Sequence, residues 1–128
     1  MTTWVWLDER DALTLHERLL AVHGGSEGLR DAGLLESAMA RPRQLAAYGD
    51  DPDVSDLAAA YTAGVVRNHP FVDGNKRVGF VLGILFLEMN GGRFTASEEA
   101  ATRAVLDLAA GHMDMAGYAV FLQENSGR

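Results

Sequence analysis

Within the nine residues His69-Pro-Phe-Val-Asp-Gly-Asn-Lys-Arg77, the chain sets an imidazole, a carboxylate, a Gly-Asn turn and two cations directly ahead of a long apolar segment. That segment predicts a helix from about Asn75 to Asn90, so Lys76 and Arg77 fall in its first turn. Cations there oppose the positive end of the helix dipole, at about 0.3–1 kcal/mol each. A polyanion on the helix end reverses the sign, because free N–H groups, dipole and both cations then act together. Asp73 is placed as the carboxylate that a phosphate-bound Mg²⁺ needs. His69 supplies a base of the side-chain type whose unperturbed pKa lies near neutrality. The stretch reads as a nucleotide-phosphate site with a built-in base.

Each of these residues also has a plainer reading. Asp73 could cap the helix, which competes for the same oxygens as a metal. Asn75 could cap or contact phosphate. Gly74 permits a tight turn that aims N–H groups at phosphate. Phe71 reads most simply as a core anchor, and Arg67 is balanced between a solvated cation and an accessory phosphate contact. His16, His23 and His112 have no partner motif and read as surface or helix-end histidines. Glu88 and Glu98 read as surface or capping groups.

The elements that must carry this stretch are helical. Leu57, Tyr61, Gly64, Val65 and Asn68 lie on one face of a helix from about 54 to 68, which delivers His69 at its end. Pro70 should then hold His69 extended. The helix after the motif is apolar on all sides, as at the centre of a bundle, and Asn90-Gly91-Gly92 ends it. Further upstream, Thr14-Leu-His-Glu17 reads as a capping box for a helix ending at Gly24-Gly25. Asp31 should cap a second helix, which buries Leu34, Leu35, Ala38 and Met39 and ends before Pro42, with a short turn at 44–48. Downstream, Thr95-Ala-Ser-Glu98 reads as another capping box, with Gly111 as terminator, and Asp114 caps a last helix to about Gln123. Thr3–Leu7 is a candidate strand pairing with Arg93–Thr95. The expected fold is all-α, a single compact helical bundle over residues 1–128 around a buried central helix, with a minor β element at most.

Composition narrows the function. The net charge is −7, from 11 basic and 18 acidic residues, which argues against nucleic acid as a direct partner, since that affinity comes from clustered Lys and Arg. No cysteine is present, so disulfides, thiolate metal sites and cysteine nucleophiles are excluded. The uncharged run Val78–Leu87 is too short to span a bilayer, and the N-terminus has no basic region before an apolar core. A cytoplasmic protein away from membranes is expected.

The nine-residue run resembles the signature of the Fic/Doc family, roughly H-x-F-x-[DE]-[GA]-N-[GK]-R, at every specified position: His69, Phe71, Asp73, Gly74, Asn75, Lys76 and Arg77. Gly28-Leu-Arg-Asp-Ala-Gly-Leu-Leu-Glu-Ser-Ala-Met-Ala-Arg-Pro42 resembles the Doc (death-on-curing) branch. The resemblance implies that His69 is catalytic, that Asp73 holds Mg²⁺ and that Gly74, Asn75, Lys76 and Arg77 bind the phosphates of ATP. AMP-transferring members resemble one another in a second glycine after the Asn and a later second arginine. Here those places hold Lys76 and Phe80. The Lys-Arg variant is similar to Doc and implies γ-phosphoryl transfer to a serine or threonine hydroxyl on a translation protein of the elongation factor Tu kind. The alternatives are an AMP transferase and a degenerate, non-enzymatic docking protein, against which intact His69, Asp73, Asn75 and Arg77 argue. One departure is Val81, where Doc carries a polar Asn. The inhibitory pattern [ST]-x-x-x-E-[GN] of many AMP-transferring relatives has no complete copy; Thr95–Glu99 is followed by Ala100. Restraint in trans by a small antitoxin encoded nearby is therefore expected, so that the chain acts as the toxin of a pair.

Overall fold

The computed structural model describes residues 3–127. Six helices carry the described residues: α1 (Glu9–His23), α2 (Ala32–Tyr48), α3 (Val54–Asn68), α4 (Asn75–Met89), α5 (Glu98–Ala110) and α6 (Met115–Glu124). Strands β1 (Arg93–Phe94) and β2 (Ser126–Gly127) pair antiparallel, Arg93 opposite Gly127 and Phe94 opposite Ser126. The fold is all-α, as the periodicity predicts.

The most enclosed element is α3 rather than α4. Ser55 and every residue from Leu57 to Val66 are buried, whereas α4 leaves Leu85, Glu88 and Met89 exposed. Small side chains are the cause. Ala58, Ala59, Ala60, Ala63 and Gly64 let neighbouring helices approach α3 from several sides. On the facing side of α4, a Cβ at Gly79 would stand 3.1 Å from Val66 Cγ2, and one at Gly83 would meet the Thr62 hydroxyl and lie 2.9 Å from the Ala58 carbonyl. Helix packing at this separation requires glycine at 83 and leaves little room for a side chain at 79. Thr62 ties the pair further by donating its hydroxyl to the Gly79 carbonyl at 2.8 Å.

Several expected boundaries move. α1 begins at Glu9, capped reciprocally by Asp8 and Asp11; Thr14 and Glu17 lie inside the helix, so their spacing was not a cap. α2 runs through Pro42, whose ring is buried, to Tyr48. The cost of an interior proline, about 3 kcal/mol, is offset by packing: Met39 is buried on one side of it, and Leu45 and Ala46 pack against the core on the other. In the second expected box the cap is Ser97, which accepts from the Ala100 N–H. Asp31, Asp53 and Asp114 cap α2, α3 and α6.

Thr3–Leu7 forms no strand or ladder. The Asn90 side chain both accepts from Val5 N–H and donates to Val5 C=O, while the Tyr61 hydroxyl does the same for Leu7. Side chains satisfy this backbone, so the partner of Arg93–Phe94 comes from the C-terminal end instead.

Candidate active site

His69 sits at the C-cap of α3 in the left-handed region, φ 51° and ψ 54°. The extended conformation expected before Pro70 is therefore overridden. A non-glycine residue held there costs on the order of 1–3 kcal/mol and needs surrounding structure to keep it. Arg30 supplies part of that structure: its Nε donates to the His69 carbonyl at 2.7 Å and its Nη2 to the Asn68 carbonyl at 2.9 Å. The backbone of the same segment holds the next residues. Arg30 and Asp31 N–H both donate to the Pro70 carbonyl, and Val72 N–H donates to the Gly28 carbonyl. Leu29 and Phe71 form an isolated antiparallel bridge. The upstream stretch at 28–31 is thus a clamp on the motif loop.

Asn75 fixes the loop from below. It is 4% exposed; its Oδ1 accepts from Phe71 N–H and its Nδ2 donates to Phe71 C=O, each at 2.9 Å. Nδ2 also stands 3.3 Å from His69 Nδ1. The side chain is spent inside the loop, so in this geometry Asn75 offers an anion its backbone N–H and not its amide.

The Asn75 contact bears on the base. Because Nδ2 donates, Nδ1 of His69 is the acceptor and the neutral ring carries its proton on Nε2. A hydroxyl proton taken at Nε2 requires the other tautomer, with the 3.3 Å contact given up. The contact is long; surrendering even an ordinary hydrogen bond costs about 0.5–1.5 kcal/mol, a factor of roughly 2–13 in rate.

Asp73 points out of the loop beside Gly74. Its Oδ2 accepts from Ser26 N–H at 3.1 Å and its Oδ1 from Gly74 N–H at 2.9 Å. These backbone donors, Ser26 first and Gly74 second, hold its carboxyl below the usual carboxylate range, with Arg77 and His16 adding smaller pulls. Gly74, φ 80°, turns the chain into α4 at a φ that favours glycine. No side chain caps α4, so its first turn presents open N–H groups, with Lys76 and Arg77 exposed beside them. Neither cation makes an ion pair among the described residues.

His69, Val72, Asp73, Gly74, Asn75, Lys76 and Arg77 together line a cleft of about 260 Å³. Arg67, in the last turn of α3, is exposed and does not line it. A larger groove of about 710 Å³ adjoins through Lys76 and Arg77 and continues over Phe80, Val81, Val105 and Leu106. Phe80 is half-buried and packs edge-on against Phe94 at 5.9 Å.

The residue most at variance with its sequence reading is His16. It is 5% exposed, not a surface histidine. Its Nε2 lies 2.9 Å from the Asp73 carbonyl, and its ring stacks on Phe71 at 4.0 Å with 12° between planes. The signal in the sequence is faint: His16 shares the inward face of its helix with Ala12 and Leu19.

Among the described residues no group of three or more His, Cys, Asp or Glu could enclose a metal. A divalent ion that keeps several waters and bridges phosphate oxygens needs only one or two carboxylates. Asp73, ionised and exposed at an anion-ready helix end, fits that need, with one lone pair on each oxygen still unused.

The all-α domain thus sets an imidazole, an ionised carboxylate and two cations around an open helix N-terminus. The chain belongs to the Fic/DOC family, whose profile it matches over residues 6–87. It is 38% identical to "Toxin Doc" of Mycolicibacterium smegmatis (strain ATCC 700084 / mc(2)155), across 92% of this chain and 96% of that one. It is 30% identical to "Protein kinase doc" of Escherichia phage P1, across 77% and 79%. Both relatives place it on the Doc branch. Among the described residues no helix is long and apolar enough to cross a membrane.

Proposed function

We propose that this chain is a Doc-like toxin that transfers the γ-phosphoryl group of ATP to a serine or threonine hydroxyl on a translation protein of the elongation factor Tu kind. The observation that carries this reading is the content of the helix start. Lys76 stands where AMP-transferring relatives have glycine, and Phe80 stands where they have a second arginine, packed on Phe94 instead of free to clamp a phosphate tail. The names of the two relatives, a toxin and a protein kinase, support it.

In this mechanism the γ-phosphate lies against the open N–H groups of α4, where Lys76 and Arg77 balance its charge. Nε2 of His69 takes the proton of the incoming hydroxyl. The hydroxyl oxygen forms a bond to the γ-phosphorus, the bond to the β–γ bridging oxygen breaks, and ADP leaves with the electron pair. Asp73 would hold Mg²⁺, which when bound neutralises charge on the phosphate oxygens. The protein's contribution is then one proton transfer at His69 together with positioning and charge balance.

A small antitoxin encoded nearby would restrain the toxin in the cytoplasm, through a segment that folds on binding. The apolar groove that adjoins Lys76 and Arg77 offers such a segment a seat next to the site. The test is intact-mass spectrometry of candidate translation proteins after incubation with this protein and Mg-ATP. Gain of one phosphate is the expected result; gain of AMP would replace the reading with nucleotidyl transfer. No change on any target, with harmless expression in bacteria, would overturn it.

A further inference from the structure

We propose that His16 is a positioning residue for Asp73: through its Nε2–H bond to the Asp73 carbonyl and its stack on Phe71, it sets where the carboxylate stands for a metal–phosphate ligand. The consequence for metal binding rests on the function proposed above; the positioning itself does not.

The Asp73 carbonyl can only accept, so the 2.9 Å contact requires the His16 proton on Nε2. On the other side of the same residue, both carboxylate oxygens are held by backbone N–H groups, Ser26 on one and Gly74 on the other. Asp73 is thereby pinned at its carbonyl and at both carboxylate oxygens. Of these anchors, Ser26 belongs to the exposed 24–28 connection and Gly74 is a neighbour in the chain. Only His16 comes from the interior of a 15-residue helix, and a site is as rigid as the element that supports it.

The ring does more than donate. Stacked within 12° of the Phe71 plane, it bears on the residue whose N–H and C=O Asn75 holds. One imidazole therefore couples the carboxylate side of the cleft to the anchor beneath His69. The fit is close around the carboxylate as well: a Cβ at Gly25 would stand 2.8 Å from Asp73 Oδ2. Mg²⁺ tolerates little departure from octahedral geometry, so a shift of this carboxylate should register first in metal affinity. A buried histidine that merely filled space would not have that effect.

Two variants separate the roles. His16→Phe keeps the stack and deletes the donor; His16→Gln keeps a donor and deletes the ring. Hydrogen exchange at the Ser26 and Gly74 amides reads the position of Asp73 without any ligand. Both amides should exchange faster in His16→Phe and recover toward wild type in His16→Gln. Titration with Mn²⁺ and ATP, followed by the Mn²⁺ paramagnetic signal, should then show affinity falling about 10–100-fold in His16→Phe, the usual effect of losing an outer-shell partner. Binding of metal-free ATP should change little, as should the helical circular dichroism. Unchanged exchange at both amides in a folded His16→Phe protein would overturn the inference. So would faster exchange with unchanged Mn²⁺ affinity. If wild type itself fails to bind Mn²⁺ with ATP while the amides respond as expected, the positioning stands and the proposed function fails.

Discussion

Replacing Asn75 by alanine tests whether the motif loop is held from within. The wild-type side chain satisfies Phe71 N–H and Phe71 C=O, both backbone groups of a residue 1% exposed. Alanine leaves both without a partner, and a buried unsatisfied group costs about 1–3 kcal/mol. The sum is about 2–6 kcal/mol. Two effects reduce it: water can enter the space the amide leaves, and alanine is a better helix former than asparagine by roughly 0.5 kcal/mol. The expected loss is about 2–4 kcal/mol, a large part of the 5–15 kcal/mol that holds a typical domain together. For 128 residues, with an unfolding entropy of about 2.1 cal/mol/K per residue, a loss of about 3 kcal/mol lowers Tm by roughly 11 °C. Urea unfolding followed by circular dichroism measures it directly. A midpoint within about 0.5 kcal/mol of wild type would refute the claim that Asn75 holds the loop, and would return its amide to the candidates for phosphate contact.

Other expectations are more local. His69→Ala should lower phosphoryl transfer by about two to four orders of magnitude with little change in Tm, because the side chain is exposed; a fully active variant would rule out the base. Lys76→Gly should abolish phosphoryl transfer as followed by intact mass, whereas normal transfer would show the lysine to be incidental. Asp73 has a folded pKa below its ordinary 3.8, so the stability it contributes is present above that value and lost as pH falls through the folded pKa. Asp73→Asn should therefore flatten the acid limb of a metal-free stability profile below about pH 3.8, and an unaltered limb would mean that the Ser26 and Gly74 bonds do not persist in solution. Burial pushes the Tyr118 hydroxyl up to about 12, against a weaker opposite pull from Thr62, yet the hydroxyl makes no well-formed hydrogen bond among the described residues. Tyr118→Phe should consequently leave Tm unchanged or raise it; a loss above about 1 kcal/mol would reveal a real bond to Thr62.

Helix identity along this chain was legible because it depends on short-range information. Apolar spacing, Asp31, Asp53 and Asp114 at caps, and Gly24 and Gly111 at helix ends act within a turn of the residues they organise. The cluster from His69 to Arg77 was legible for the same reason: its members are neighbours in the chain, and an open helix start puts them in one cleft. What the sequence alone misjudged depended on partners far away. Pro42 looks like a stop until the core packing on both sides of it is seen. Thr3–Leu7 looks like a strand until Asn90 and Tyr61 take its backbone groups. His69 should be extended before Pro70, yet Arg30, 39 residues earlier, helps hold it left-handed. His16 is the clearest case, since its own helix offers only a shared face with Ala12 and Leu19 and says nothing of what it touches. Only the fold brings Asp73 to its Nε2 and Phe71 to its face, because a hydrogen bond across 57 residues has no local pattern from which it could be read.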